Sequence, residues 1–173
     1  MIYRDAGHCI ARVMSIETND GTAKAGWQMR YQSGWPEMRS GSDLTADERL
    51  TQDCMARAIL HRYLDATLWH AMVAKYSIND LEVAESVRWL IPRVASPAPH
   101  LFKMKCVTCW AVPRRLPERF YEIQSWDSDG TPDGTLRRWK SLTRRWLDAQ
   151  IDAAHKQVAT VMASHGLMVS EAA

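Results

Sequence analysis

The sequence predicts a mainly α-helical chain, and three observations carry that prediction. Apolar residues return at helical spacing over several long windows, capping signals stand in front of those windows, and glycine and proline fall mainly between them. The chain has 173 residues, 46% of them hydrophobic and 24% charged. That balance belongs to a globular domain able to bury its own core and excludes a disordered segment.

The first 44 residues read as an N-terminal arm. Ile2, Ala6, Ile10, Val13 and Met14 recur as a short helix would place them. Residues 17–44 are polar and rich in glycine, so they are expected to form an extended connection pinned by Trp27, Tyr31 and Trp35. A helical domain over 45–173 then opens on Thr45-Ala-Asp-Glu48, which has the form of a capping box. Leu50, Cys54, Ile59, Leu60 and Leu64 make the apolar stripe of the helix it starts. Asp65 is placed to cap a second helix carrying Leu68, Trp69, Met72, Val73 and Tyr76. A third, Leu81 to Leu90, is closed by Ile91-Pro92, because proline lacks an amide hydrogen and restricts its neighbour.

Residues 91–116 contain Pro97, Pro99 and Pro113, with Lys103, Lys105, Arg114 and Arg115 flanking the apolar run Cys106 to Val112. They are expected to form a basic, proline-rich irregular insertion on the helical scaffold. Val107, Thr108, Trp110 and Val112 also favour extended chain there, as a short strand or hairpin.

A helix-turn-helix is predicted over 117–146. Pro117 to Ser125 has proline and an acid in its first turn, Trp126 to Gly130 is turn chemistry, and Thr131-Pro132-Asp133 orders an N-cap, an N1 proline and an early acid. The helix begun there is expected to run to about His165-Gly166, where glycine supplies the stop. Leu136, Trp139, Leu147, Ile151, Val158 and Val161 line one side of it. Arg137, Arg138, Ser141, Arg144, Arg145 and Asp148 line another.

Net charge is only +2, which is silent about nucleic acid as a total. Its distribution is not silent. Arg137, Arg138, Lys140, Arg144 and Arg145 put five positive charges into nine residues with no acid among them. A face that merely solvates a helix usually interleaves glutamate with its cations. In a helix-turn-helix the start of the second helix enters the major groove, where arginine pairs bidentately with guanine. Asp133, Thr135 and Arg138 are therefore candidates for base edges, with Arg137, Lys140, Arg144 and Arg145 on phosphate and Ser141 on the same face. Lys103, Lys105, Trp110, Arg114 and Arg115 form a second candidate contact surface, for polymerase or nucleic acid, with Trp110 as a stacking platform for single strands.

Other chemistry has little support. The chain has no glycine-rich phosphate loop, no Gly-x-Ser-x-Gly and no His-Glu-x-x-His, so no enzyme activity and no cofactor are expected. Cys106-Val-Thr-Cys109 is a single CxxC, and zinc needs two further ligands. The preferred reading is two small buried residues beside Trp110, with no metal. His61 and His70 are read as packed or surface residues. No apolar run reaches the length that spans a bilayer, and the N-terminus mixes charges into its apolar positions. A cytoplasmic protein with reduced cysteines and no membrane partner is expected.

Two stretches carry a family resemblance. Leu64-Asp-Ala-Thr-Leu-Trp-His-Ala-Met-Val-Ala-Lys-Tyr-Ser77 is a helix ending before a turn, and Pro132-Asp-Gly-Thr-Leu-Arg-Arg-Trp139 opens a long final helix. Together they resemble phage and prophage Q-type transcription antitermination proteins, including AlpA-type regulators, over about residues 45–77 and 117–165. The resemblance implies a sigma-like helix-turn-helix that binds double-stranded promoter-region DNA and then loads onto RNA polymerase with its sigma factor, near the nascent RNA, to allow terminator readthrough. It makes Thr135, Arg137, Arg138 and Lys140 the DNA readers, with Leu68 to Tyr76 packed behind them. The segment from Ile78 to Leu116 is longer than the simple turn such a protein would need. Two other readings stand beside it: a dimeric helix-turn-helix repressor or activator joined through Ile151 to Val161, and an interaction protein whose basic helix meets an acidic partner.

Overall fold

A computed structural model describes residues 3–16, 45–113 and 115–167. The six α-helices among them are α1 (Ala6–Met14), α2 (Ala46–Tyr63), α3 (Ala66–Tyr76), α4 (Asp80–Leu90), α5 (His100–Ala111) and α6 (Asp133–Ser164). Three 3-10 turns, Ile91–Arg93, Glu118–Tyr121 and Ile123–Trp126, complete the set. Among the described residues there is no β-strand, and the mainly α class stands. The expected connection over 17–44, Ile2 and Arg114 lie outside the described residues.

Starts and stops follow local chemistry. Asp5 caps α1 by accepting from the His8 amide at 2.8 Å. The capping box forms as its spacing predicts, with Thr45 Oγ1 accepting from the Glu48 amide at 3.3 Å and Glu48 accepting from the Thr45 amide at 2.8 Å. Asp65 and Asn79 cap α3 and α4. Gly166 ends α6 at φ 64°, a left-handed conformation in which a side chain would be strained, and Leu167 donates back to the Met162 carbonyl at 2.9 Å.

α6 is the spine. Its 32 residues, about 48 Å at 1.5 Å per residue, meet three buried clusters in turn. The C-terminal half (Ala154, Val158, Val161, Met162) packs with α1, α2 and α3 around Cys9, Val13, Leu60 and Met72. The middle, at Leu147, closes a cluster of Ala71, Val83, Leu90, Val107 and Trp110 from α3, α4 and α5. The start, at Leu136, packs with Phe102, Cys106 and Trp126. The described part of the N-terminal arm thus belongs to the first cluster. Tyr3 is fully buried within it.

Four expectations need correction. The insertion 91–116 is not irregular throughout and holds neither strand nor hairpin: no proline falls between Pro99 and Pro113, and over that span Phe102, Cys106, Val107, Trp110 and Ala111 are buried along α5. Helical burial outweighs the β preference of Val107 and Thr108 because α4 and α6 both offer apolar surface. Residues 117–125 form no α-helix. They make two 3-10 turns broken at Glu122, with Trp126 the one buried residue in them, so there is too little apolar stripe to hold a longer helix. The first helix of the expected helix-turn-helix is therefore missing, and it is α5 that packs against the start of α6. Thr131 does not cap α6: Asp127 holds its amide at 2.7 Å and its hydroxyl at 3.1 Å, and Pro132 occupies the cap position.

The first part of the α2 stripe is also rotated, while Leu60 and Leu64 are buried as expected. Leu50 is 53% exposed and Cys54 is exposed, while Asp53, Ala56 and Leu60 face inward. An acid can occupy that stripe because the Tyr3 hydroxyl donates to Asp53 at 2.7 Å and Arg12 donates from Nε at 3.2 Å and Nη2 at 3.0 Å. Arg57 bridges α2 to α4, donating to both Glu82 carboxylate oxygens at 2.7 Å.

His70 is half-buried between α3 and α4, stacked on Trp89 with ring centroids 4.3 Å apart and sharing a hydrogen bond with Ser86 at 3.1 Å. Burial lowers its pKa below the ordinary 6.5, Arg93 and His61 reinforce that, and Glu85 opposes it. The folded form therefore takes up a proton less readily than the unfolded one. The contribution to stability is complete above pH 6.5 and is lost as pH falls below it. Thermal melts should show the melting temperature dropping from pH 7.5 toward pH 5, with a shallower drop in His70→Gln. An equal slope in both would remove His70 as the cause.

Candidate nucleic-acid interface

The basic stretch forms on the solvent side of α6. Leu136, Thr143 and Leu147 turn inward, which fixes the helix's rotation and leaves Arg137, Arg138, Ser141, Arg144 and Arg145 exposed. Lys140 is half-buried at the edge, with Nζ 5.0 Å from the Trp126 ring centroid. This cation–π contact holds the ammonium against the third cluster. Thr135 is half-buried and Asp133 exposed, the latter 3.9 Å from Arg137 as a loose i,i+4 pair.

An open groove of about 760 Å³ runs beside this face. Arg137, Lys140, Ser141, Arg144 and Arg145 line it, with Ile123 as its apolar edge. Asp133, Thr135 and Arg138 do not line it. Arg138 projects from the same helix farther round, next to Arg145 on the helical wheel, so the base-edge candidates and the phosphate candidates separate into neighbouring strips.

Sequence reasoning missed the burial of Trp126, and it placed Asp148 on this face without drawing the consequence for the groove. Asp148 and Asp152 line its C-terminal end, so its charge changes sign along the helix. The spacing 141-145-148-152 contained that information, since all four positions share one face. Trp126, read as a turn residue, is 1% exposed and donates from its indole to the Phe120 carbonyl at 2.7 Å. An aromatic residue inside an otherwise polar turn was the available signal.

The second candidate surface does not assemble. Trp110 is 2% exposed, donates to Asp148 at 2.9 Å and lies under Lys75 Nζ, 4.7 Å from the ring centroid. It cannot stack on a strand. Burial lowers the Lys75 pKa, and Lys75 donates to the Trp110 carbonyl at 3.2 Å. Lys105 is turned toward the Ser125 carbonyl and the Phe120 ring. Arg115 pairs with Asp80 at 3.1 Å. Lys103 is half-buried on α5, and Arg114 lies outside the described residues.

Cys106 is buried and Cys109 half-buried, as two small residues near Trp110 would be. Burial pushes the Cys106 thiol up to about 11 and raises Cys109 as well. Among the described residues no group of three or more His, Cys, Asp and Glu side chains is arranged to hold a metal ion. Among the same residues no helix is long and apolar enough to cross a membrane. Comparison of the chain with protein-family models, with curated proteins and with solved structures finds no match.

Proposed function

We propose that this protein binds double-stranded DNA through the N-terminal half of α6 and acts as a transcription antitermination factor that passes from promoter-region DNA to RNA polymerase. The observation that carries the DNA step is the acid-free row Arg137, Arg138, Lys140, Arg144 and Arg145, exposed or edge-exposed on a helix whose rotation is set by burial. Five cations neutralise at most five phosphates, so log K should fall with log salt at a slope no steeper than about −4.5. The polymerase step rests on the resemblance of 64–77 and 132–139 to Q-type antiterminators.

Transcription from a template with an intrinsic terminator, with purified polymerase, tests the proposal. Readthrough should rise when the protein is added and only when the promoter region is present. A dimeric repressor or activator would bind DNA and leave readthrough unchanged. That second reading assigned Ile151 to Val161 to a dimer contact, whereas Ala154, Val158 and Val161 are buried against α1, α2 and α3 of the same chain, which favours the first. If the basic helix met only an acidic protein partner, duplex binding would vanish at physiological salt.

The acidic end of the groove adds a prediction. Asp148 and Asp152 repel any phosphate that runs past Arg145, so the duplex crosses α6 instead of lying along it. Asp152→Asn should strengthen binding to any duplex a few-fold at low salt, with little change at high salt. Fluorescence anisotropy against salt checks this. Unchanged binding at every salt concentration would place the DNA away from this end.

A further inference from the structure

Beside the groove, between α5 and the start of α6, lies a smaller pocket of about 140 Å³. Lys140 and Arg144 line both concavities, so the pocket opens where the phosphates of a bound strand would lie. Its accessible wall is built from Tyr121, Cys109 and Pro113, with Trp126 and Cys106, 1% and 2% exposed, buried behind them. We infer that this pocket receives one planar nucleobase whose own phosphate rests on Lys140 and Arg144, and the inference rests on reading the α6 face as a nucleic-acid interface.

Size, walls and mouth agree. A cavity of about 150 Å³ holds a benzene ring, so this open-mouthed pocket admits one ring and excludes a stack of two. The accessible walls are the Tyr121 ring, Pro113 and the Cys109 thiol, and burial keeps both cysteine thiols protonated at neutral pH. No thiolate then repels the phosphate. The walls are also held in place before any ligand arrives. The Tyr121 hydroxyl donates to the Val112 carbonyl at 2.6 Å and accepts from the Arg115 and Leu116 amides at 3.0 Å each. Trp126 spends its indole hydrogen on Phe120. With those polar edges committed inside the protein, the pocket offers a base ring surface and little hydrogen-bond readout. Selection follows shape and stacking more than base identity.

A paired base cannot reach the pocket, so the ring comes either from an unpaired nucleotide of a bound strand or from a free nucleotide. Cys109 reports on both and Cys54, exposed on α2, serves as the internal reference. The native protein is treated with a maleimide and labelling is read peptide by peptide by mass spectrometry. The probes are a fully paired duplex, the same duplex with one bulged cytidine, and cytidine monophosphate, with duplex binding followed by anisotropy. Cys109 labelling is expected to slow roughly tenfold more with the bulged than with the paired duplex, the change one stacked base supplies, while Cys54 labelling stays constant. Protection by cytidine monophosphate alone assigns the site to a free nucleotide and keeps the pocket inference. Equal Cys109 labelling with both duplexes and the nucleotide, while anisotropy reports duplex binding, overturns the pocket and leaves the α6 face intact. No duplex binding with protection by the nucleotide does the reverse. In Cys109→Leu, which fills the pocket, the preference for the bulged duplex should disappear while affinity for the paired duplex remains. A preference that persists in this folded variant also overturns the inference.

Discussion

Arg138→Ala should lower affinity for the specific DNA site by about 1–3 kcal/mol, a factor of roughly 5 to 150, and relax discrimination at one base position. Arg138 is exposed, no core residue depends on it, and it stands outside the groove where the phosphate candidates gather. Arg144→Ala with Arg145→Ala should behave differently. Both residues line the groove, so binding should weaken by a similar factor on every duplex and the salt slope should become shallower by about 2. Competition binding with specific and scrambled duplexes at several salt concentrations separates the two patterns. A folded Arg138→Ala protein with unchanged affinity and specificity removes the base-reading role. An unchanged slope in the double variant removes the groove.

Trp126→Ala should cost about 3–5 kcal/mol of folding stability, the range for deleting a large buried aromatic side chain. That is a large share of the ~5–15 kcal/mol a domain of this kind has in total. The ring is 1% exposed, meets Phe102 edge-on with centroids 5.3 Å apart, carries Lys140 over its face and ties the 117–126 connection to itself through Phe120. Phe102 in turn packs against Trp139 at 5.6 Å. Removing Trp126 should therefore loosen the first turns of α6 before the rest and weaken DNA binding together with stability. Trp126→Phe should recover most of the packing but leave the Phe120 carbonyl with only the weak Cys109 thiol donor at 3.6 Å, a loss of about 1–3 kcal/mol. Urea unfolding measures both. A loss under 1 kcal/mol for Trp126→Ala would mean that the third cluster does not anchor the interface.

What could be read from the residues alone divides by how local the cause is. The capping box at Thr45, the Asp65 cap and the Gly166 stop depend on a few neighbouring residues, and each forms as its chemistry predicts. The basic face of α6 was legible for the same reason: a 3.6-residue period and a charge count place it. α5 was not legible. Its buried residues are interrupted by Lys103 and Lys105, it is flanked by prolines, and its helical state depends on α4 and α6 packing against it. Trp126 is a sharper case, because its burial requires Phe102, Leu136 and Lys140 from two distant stretches. The inward turn of Asp53 needed Tyr3 and Arg12, about forty to fifty positions away. Local pattern located the charges of the interface, and long-range packing decided which of them share a groove.

The position of α6 also sets the order in which this protein becomes competent during synthesis. Each of the three clusters contains at least one residue from α6, so none can close while the ribosome still holds Leu136 to Met162. α1 to α5 emerge first and wait with their apolar faces uncovered, which exposes them to chaperones or to aggregation until the final helix arrives. The same helix carries Arg137 to Arg145. A truncated product that stops before α6 has neither a finished core nor a basic face, and the surface proposed for nucleic acid therefore appears only on chains whose fold has been completed.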